Sequence, residues 1–131
     1  METGTIFSQI IRGEIPCHKI AEDDYYLAFL DIQPLREGHV LVVPKVEVDY
    51  VFDLPDEVLA GLLIFARSVA ARIQTAMPCK RVGVTVIGLE VPHAHVHLIP
   101  INGVADMNFE RPKLQFTQEQ LAETAAKIRD V

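Results

Sequence analysis

No apolar run in this sequence approaches the roughly 20 residues that a membrane span requires. The longest, Val58 to Ala66, is closed off by Glu57 and Arg67 and reads as a core or interface helix, so no membrane partner is expected. Basic residues are scattered. With a formal net charge of -6 and no long block of either sign, the chain lacks the clustered Lys and Arg of a surface that tracks nucleic-acid phosphates. A small anionic ligand would have to be held by local donors against the overall field. Met1-Glu2-Thr3-Gly4 has neither the basic nor the apolar region of a signal peptide, so a cytoplasmic location is the expectation. Cysteine occurs only as Cys17 and Cys79, far apart and in no Cys-x-x-Cys pair; two reduced thiols are expected, the spacing alone leaving a single bridge open. Repeats and low-complexity segments are missing too. What remains, 131 residues of which half are apolar, suffices for one core and is short for two, so residues 1–131 are read as one domain.

Within that domain the pattern alternates between helix and strand periods. Thr5 to Arg12 carries Ile6, Phe7, Ile10 and Ile11 at helical spacing and stops at Gly13. Ile20-Ala21 and Tyr25 to Leu30 flank Glu22-Asp23-Asp24 as two strands of a hairpin. In the second, Tyr25, Leu27, Phe29 and Asp31 face one way and Tyr26, Ala28, Leu30 and Ile32 the other, which places an Asp at the end of an apolar face. Gln33 to Gly38 reads as a loop and His39 to Lys45 as a third strand, with His39 on the face of Leu41 and Val43. A helix comes next, from Pro55 to about Ala76, with the stripe Val58, Leu62, Phe65, Val69 and Ile73 widened by Leu59 and Leu63, wide enough for a second partner surface. Arg81 to Ile87 alternates as a fourth strand, and Gly88-Leu89-Glu90 is short enough to predict a tight antiparallel hairpin with a fifth. Residues 101–113 have no period and read as loop; Thr117 with Gln120 three residues on predicts a capped final helix, Gln118 to Arg129.

The stretch Pro92 to Pro100 holds three of the five histidines at strict alternation. As a strand it puts His93, His95 and His97 on one face and Ala94, Val96 and Leu98 in the core. A solvated strand face usually takes Thr, Lys or Glu, and a core gains little from three imidazoles that each need hydrogen bonds. Two chemistries compete. Neighbours about 7 Å apart on one face let two imidazoles share a metal, but three in a line fit a tetrahedron poorly. Nucleophilic catalysis fits the line better: the central imidazole attacks while its neighbours contact the groups on either side of the reacting atom. Imidazole attacks phosphorus readily and phosphorylated imidazole hydrolyses easily, which points to nucleotidyl transfer.

The motif His93-Ala94-His95-Val96-His97-Leu98-Ile99 resembles the His-x-His-x-His signature of the histidine triad (HIT) family. The segments Thr5 to Pro16, Ala28-Phe29-Leu30-Asp31-Ile32 and Gly38 to Pro44 look, in the same order, like its Hint-type branch. The resemblance implies an α+β, HIT-like fold with an antiparallel five-stranded sheet and helices, pairing into a ten-stranded sheet in a homodimer. It implies that His95 is the nucleophile on the α-phosphate of a purine nucleoside phosphoramidate or similar derivative, with a nucleotidyl-histidine intermediate. By the same resemblance His97 lies near the leaving group, and His93 and His39 support the phosphate side. Asp31 takes the ribose hydroxyls, Ile6, Phe7, Ile10, Phe29, Ile32 and Leu41 form the walls around base and sugar, and no cofactor is needed.

Two departures from the family pattern stand out. The phosphate-holding loop before the triad is reduced to Ile87-Gly88-Leu89-Glu90-Val91-Pro92, so the backbone N–H groups of Gly88 and Leu89 are left to bind phosphate, and Glu90 brings a carboxylate close by. Some bacterial relatives hold zinc with an N-terminal Cys pair and triad-region histidines; Thr5 and Ser8 occupy those places here, and neutral hydroxyls are poor zinc ligands. Dinucleoside polyphosphate hydrolysis, a nucleotide-binding module without catalysis and, more distantly, a zinc module are the competing functions.

Overall fold

Thr5 caps the first helix, its Oγ1 accepting the Ser8 N–H at 3.0 Å; α1 spans Ile6–Ile11, and Gly13, at φ +79°, reverses the chain in a conformation that suits a residue without Cβ. This computed structural model describes residues 4–131. β1 (Lys19–Glu22) and β2 (Tyr26–Leu30) form the hairpin expected from the acidic turn: Asp23 Oδ1 accepts the N–H groups of Tyr25 and Tyr26, both at 2.8 Å. β3 spans Val40–Pro44, α2 Asp56–Ala76, β4 Arg81–Thr85, β5 Val96–Ile101 and α3 Gln118–Arg129. The five strands form one antiparallel sheet in the order β1-β2-β3-β5-β4, with single 3-10 turns at Val51–Asp53 and Val104–Met107. The molecule is therefore an α+β fold of the expected strand number.

The period-2 patterns sort the two faces of that sheet. Tyr26, Ala28, Leu30, Val40, Val42, Ala94, Val96 and Leu98 meet Leu62, Ala66, Val69 and Ile73 of α2 and Leu121, Ala125 and Ile128 of α3 in the larger core. Burying a side chain such as Ile73, fully inaccessible here, contributes roughly 1.5–3 kcal/mol. On the other face Phe7 of α1 packs with Leu27, Phe29, Leu41 and Val43 in a smaller cluster. α3 begins with the capping box its sequence announces, Thr117 Oγ1 accepting the Gln120 N–H and Gln120 Oε1 accepting the Thr117 N–H. α2 is 21 residues long, enough by length and composition to cross a membrane, but its buried stripe faces the sheet. Val58, Leu59 and Phe65 are half-buried against the core, whereas Leu63 and Ile64 are exposed.

Three expectations need correction. β4 ends at Thr85 rather than Ile87, and β5 begins at Val96, so only His97 of the triad lies in a strand. The β4–β5 pairing is antiparallel as expected, but residues 86–95 form a long connection and not a tight joint. The reason is where the backbone groups go: Pro92 has no N–H, Gly88 turns at φ +76°, the Ala94 N–H donates to the Val48 carbonyl at 2.7 Å and the His93 N–H to Val91 O at 2.8 Å. Side-chain alternation survives this departure from the ladder, because Ala94 still points into the core.

Candidate active site

Strand register brings the imidazoles together. β2 and β3 pair as far as Leu30 with Val40, and one residue beyond, the Asp31 N–H still donates to His39 O at 3.0 Å. On the far side of β3, Leu41 is opposite His97. The His39 and His97 rings lie 5.2 Å apart between centroids and those of His95 and His97 4.9 Å apart. All are buried: His39 and His93 are 0% exposed, His95 5% and His97 7%.

Each ring is held by at least one group whose role is fixed, and this settles where the protons are. The Leu35 N–H donates to His39 Nδ1 at 3.1 Å, so neutral His39 carries its proton on Nε2, which donates to His97 Nδ1 at 3.0 Å. His97 therefore bears its proton on Nε2. His95 Nδ1 faces the His93 carbonyl at 2.7 Å and must be the protonated nitrogen, leaving the Nε2 lone pair of His95 free. His93 Nε2 donates to the Pro44 carbonyl at 2.9 Å, and its Nδ1 accepts from the Thr5 hydroxyl at 2.9 Å. Among the described residues no buried side-chain polar atom lacks a partner.

Burial dominates the electrostatics. It pushes His39 down to about 3, helped by His97, Lys113 and His95, and His97 down to about 4, helped by His95. His95 is also lowered, chiefly by burial, against the opposing pull of its bond to the His93 carbonyl. All three are thus neutral at neutral pH. Asp31 is raised to about 6 by burial, opposed by the Gln33 N–H and the charge of Lys113 and reinforced by Glu90. Its Oδ1 accepts the Gln33 N–H at 2.9 Å, the ordinary bond of a strand-end Asp, while Oδ2 lies 3.6 Å from His39 Nε2. Since His39 is neutral, that contact is not an ion pair.

The other residues singled out in the sequence fall in three places. Phe7 meets His95 edge-on at 4.9 Å and His93 at 5.9 Å, and Phe29 and Leu41 are buried beside it with Ile10 packed against them. Ile6 and Ile32 are 48% and 61% exposed. Gly88 and Leu89 line an apolar groove of about 740 Å³ on the α2 side, with Leu62, Leu63, Ala94 and Val96, and Leu89 is 87% exposed. Glu90 is close enough to His95 and Asp31 to act on both charges.

Sequence reasoning missed two groups. Phe109, in the stretch read as featureless loop, places its ring 4.7 Å from His97 and 6.0 Å from His39, and Lys113 Nζ donates to its carbonyl at 2.8 Å. An aromatic and a cation in an aperiodic segment were the available signal. The second is Glu47, whose Oε1 accepts the Ser8 hydroxyl and the Thr5 N–H behind the two hydroxyls that lie at His93 Nδ1.

The ligand atoms of Asp31, His39 and His97 lie within 4.8 Å of one another, as a metal site requires. The proton assignment argues against that use. With the Leu35 amide on Nδ1, the Nε2 of neutral His39 presents a proton and not a lone pair.

Residues 12–103 match the family model of the HIT domain. Adenosine 5'-monophosphoramidase HNT1 of Saccharomyces cerevisiae is 40% identical over 105 residues, 76% of this chain but only 64% of the yeast protein. Adenosine 5'-monophosphoramidase hnt1 of Schizosaccharomyces pombe is 38% identical over 97 residues, 72% of each chain. A crystal structure of a Hit-like protein from Bartonella henselae, described as involved in cell-cycle regulation, superposes with a TM-score of 0.86 at 30% identity over 98% of this chain and 96% of that one. The triad, the sheet that carries it and these likenesses agree: this chain belongs to the histidine triad (HIT) family, in its Hint-type branch.

Proposed function

We propose that this protein hydrolyses a purine nucleoside phosphoramidate, or a similar nucleoside monophosphate derivative, through a covalent nucleotidyl-histidine. The observation that carries the proposal is the pair of opposite proton states at neighbouring rings: His95 offers a free Nε2 lone pair while His97 presents an Nε2–H. His95 Nε2 attacks the α-phosphorus, the P–N bond breaks, and the leaving nitrogen takes the proton from His97 Nε2, the negative charge left on that ring being balanced by the positive charge on the phosphorylated His95 ring beside it. Water then gives its hydroxyl to phosphorus and returns a proton to His97 as the P–Nε2 bond breaks. His39, fixed by the Leu35 amide, keeps His97 in the tautomer that can donate. Asp31 receives the ribose hydroxyls, and Phe7, Phe29, Leu41 and Ile10 wall the base and sugar. The two fission-yeast and budding-yeast relatives named as adenosine 5'-monophosphoramidases support the phosphoramidate as leaving-group class.

The acting form is a homodimer in this reading. Phe52, Leu63, Ile64, Val84 and Leu89 are exposed around the α2 groove and the free edge of β4, more apolar surface than a monomer usually leaves in water. His95→Ala should abolish turnover of adenosine phosphoramidate while leaving AMP binding nearly intact. Mass spectrometry of the wild type quenched during turnover should find one adenylyl group on His95. Wild-type activity in the variant would overturn the mechanism.

A further inference from the structure

His93 and His95 lie outside the sheet ladder, so something other than strand pairing must fix them. The His95 tautomer depends on the position of the His93 carbonyl, 2.7 Å from its Nδ1. The His93 ring is tied at one nitrogen to Pro44 and at the other to α1. Behind that second tie stands a chain of hydrogen bonds with every donor assignable. The Ser8 hydroxyl donates to Glu47 Oε1 at 2.6 Å, and the Thr5 N–H donates to the same oxygen at 3.1 Å. Ser8, with its proton committed to Glu47, leaves its N–H for Thr5 Oγ1 at 3.0 Å, and the Thr5 hydroxyl then has its own proton for His93 Nδ1 at 2.9 Å. Ser8 Oγ lies 3.4 Å from the same nitrogen and cannot supply a second proton. Glu47 is exposed, yet these two bonds hold its carboxyl below the ordinary carboxylate range.

The family resemblance would put a zinc-binding Cys pair at the two places that Thr5 and Ser8 occupy here. The donors present here do not fit that ion, since both oxygens are neutral hydroxyls and the lone pair of His93 Nδ1 is already taken by Thr5. We propose that Thr5, Ser8 and Glu47 are positioning residues: by their hydrogen bonds they lock the His93 ring, dock α1 with Phe7 against it, and so hold the His93 carbonyl on His95 Nδ1. A substrate reaching His95 finds the nucleophile already in the attacking tautomer. The inference rests on His95 being the nucleophile.

The test pairs kinetics with imidazole nitrogen NMR on the intact protein. In wild type and in Thr5→Ser, long-range proton–nitrogen spectra should show His93 as the single Nε2–H tautomer and His95 as the Nδ1–H tautomer. Thr5→Val and Glu47→Ala should lower kcat about tenfold with KM within about twofold, and should broaden or split both ring signals. Because Thr5→Val also removes a helix cap, Glu47→Ala serves as the variant that leaves the cap in place. Unchanged kcat in both, or lowered kcat with both tautomers intact, overturns the clamp. If the wild type turns over no phosphoramidate, the proposed function fails while the NMR comparison still decides whether Thr5 and Glu47 set the tautomers.

Discussion

Acidification from pH 7 to pH 5 should destabilise this protein far more than its carboxylates alone would allow. The unfolded chain protonates its imidazoles near 6.5, whereas native His39 and His97 resist until about 3 and about 4. Their contribution to stability is fully present above 6.5 and is lost as pH falls toward those lower values. At pH 5 the unfolded state gains about 2 kcal/mol for each, at 1.36 kcal/mol per unit. Asp31 acts in the opposite sense. Raised from 3.8 to about 6, it binds its proton more tightly in the native state, so its contribution is present at low pH and lost as pH rises through about 6. It returns roughly 1.3 kcal/mol at pH 5, leaving a net loss of about 2–3 kcal/mol out of the ~5–15 kcal/mol typical of a domain. The chain has no tryptophan, so urea unfolding followed by far-UV circular dichroism at the two pH values is the assay. His39→Gln, whatever it costs at pH 7, should shrink the pH-dependent part by about 2 kcal/mol. Equal midpoints for the wild type at pH 7 and pH 5, or an unaltered pH dependence in His39→Gln, would refute the assignment of these rings as buried and neutral.

AMP should bind more tightly than adenosine in calorimetry, because charge-assisted hydrogen bonds to the phosphate are worth roughly 1.5–3 kcal/mol each; equal affinities together with no hydrolysis would favour the binding module. Asp31→Ala should weaken both ligands alike, and in the wild type both affinities should fall below pH of about 6 as Asp31 is protonated; an effect confined to AMP would place Asp31 on the phosphate side instead. Light scattering at low micromolar concentration should give the mass of a dimer, and a monomer would remove the role assigned to the exposed α2 and β4 surface.

The parts of the fold legible in the sequence are those governed by short-range periodicity. The α2 stripe, the Thr117–Gln120 cap and the alternation that sends Ala94, Val96 and Leu98 one way and three imidazoles the other needed no knowledge of distant contacts. The length of the 86–95 connection did not follow from Gly88-Leu89-Glu90, because the Ala94 N–H leaves the ladder for Val48, a partner that no local pattern announces. Phe109 was invisible for the same reason. Its packing on His97 depends on how the chain after β5 is tied back, by Arg36 to Asp106 at 2.7 Å and by the Leu114 N–H to Pro34 O at 2.8 Å. Residue identity showed that the site holds histidines. Only their three-dimensional partners showed which nitrogen of each carries the proton.

Those partners are mostly backbone. The Leu35 amide, the Pro44 carbonyl and the His93 carbonyl each dictate the tautomer of one imidazole, and none belongs to a side chain. Ordinary substitution at positions 35 or 44 therefore changes packing without touching the direction in which protons can move through the rings. The polarity of the site is written into the path of the main chain and is shielded from most point mutations. Leu35→Pro reaches the main chain itself: it deletes the one N–H that keeps His39 from turning its lone pair toward His97, and with it the order of donors and acceptors along the row.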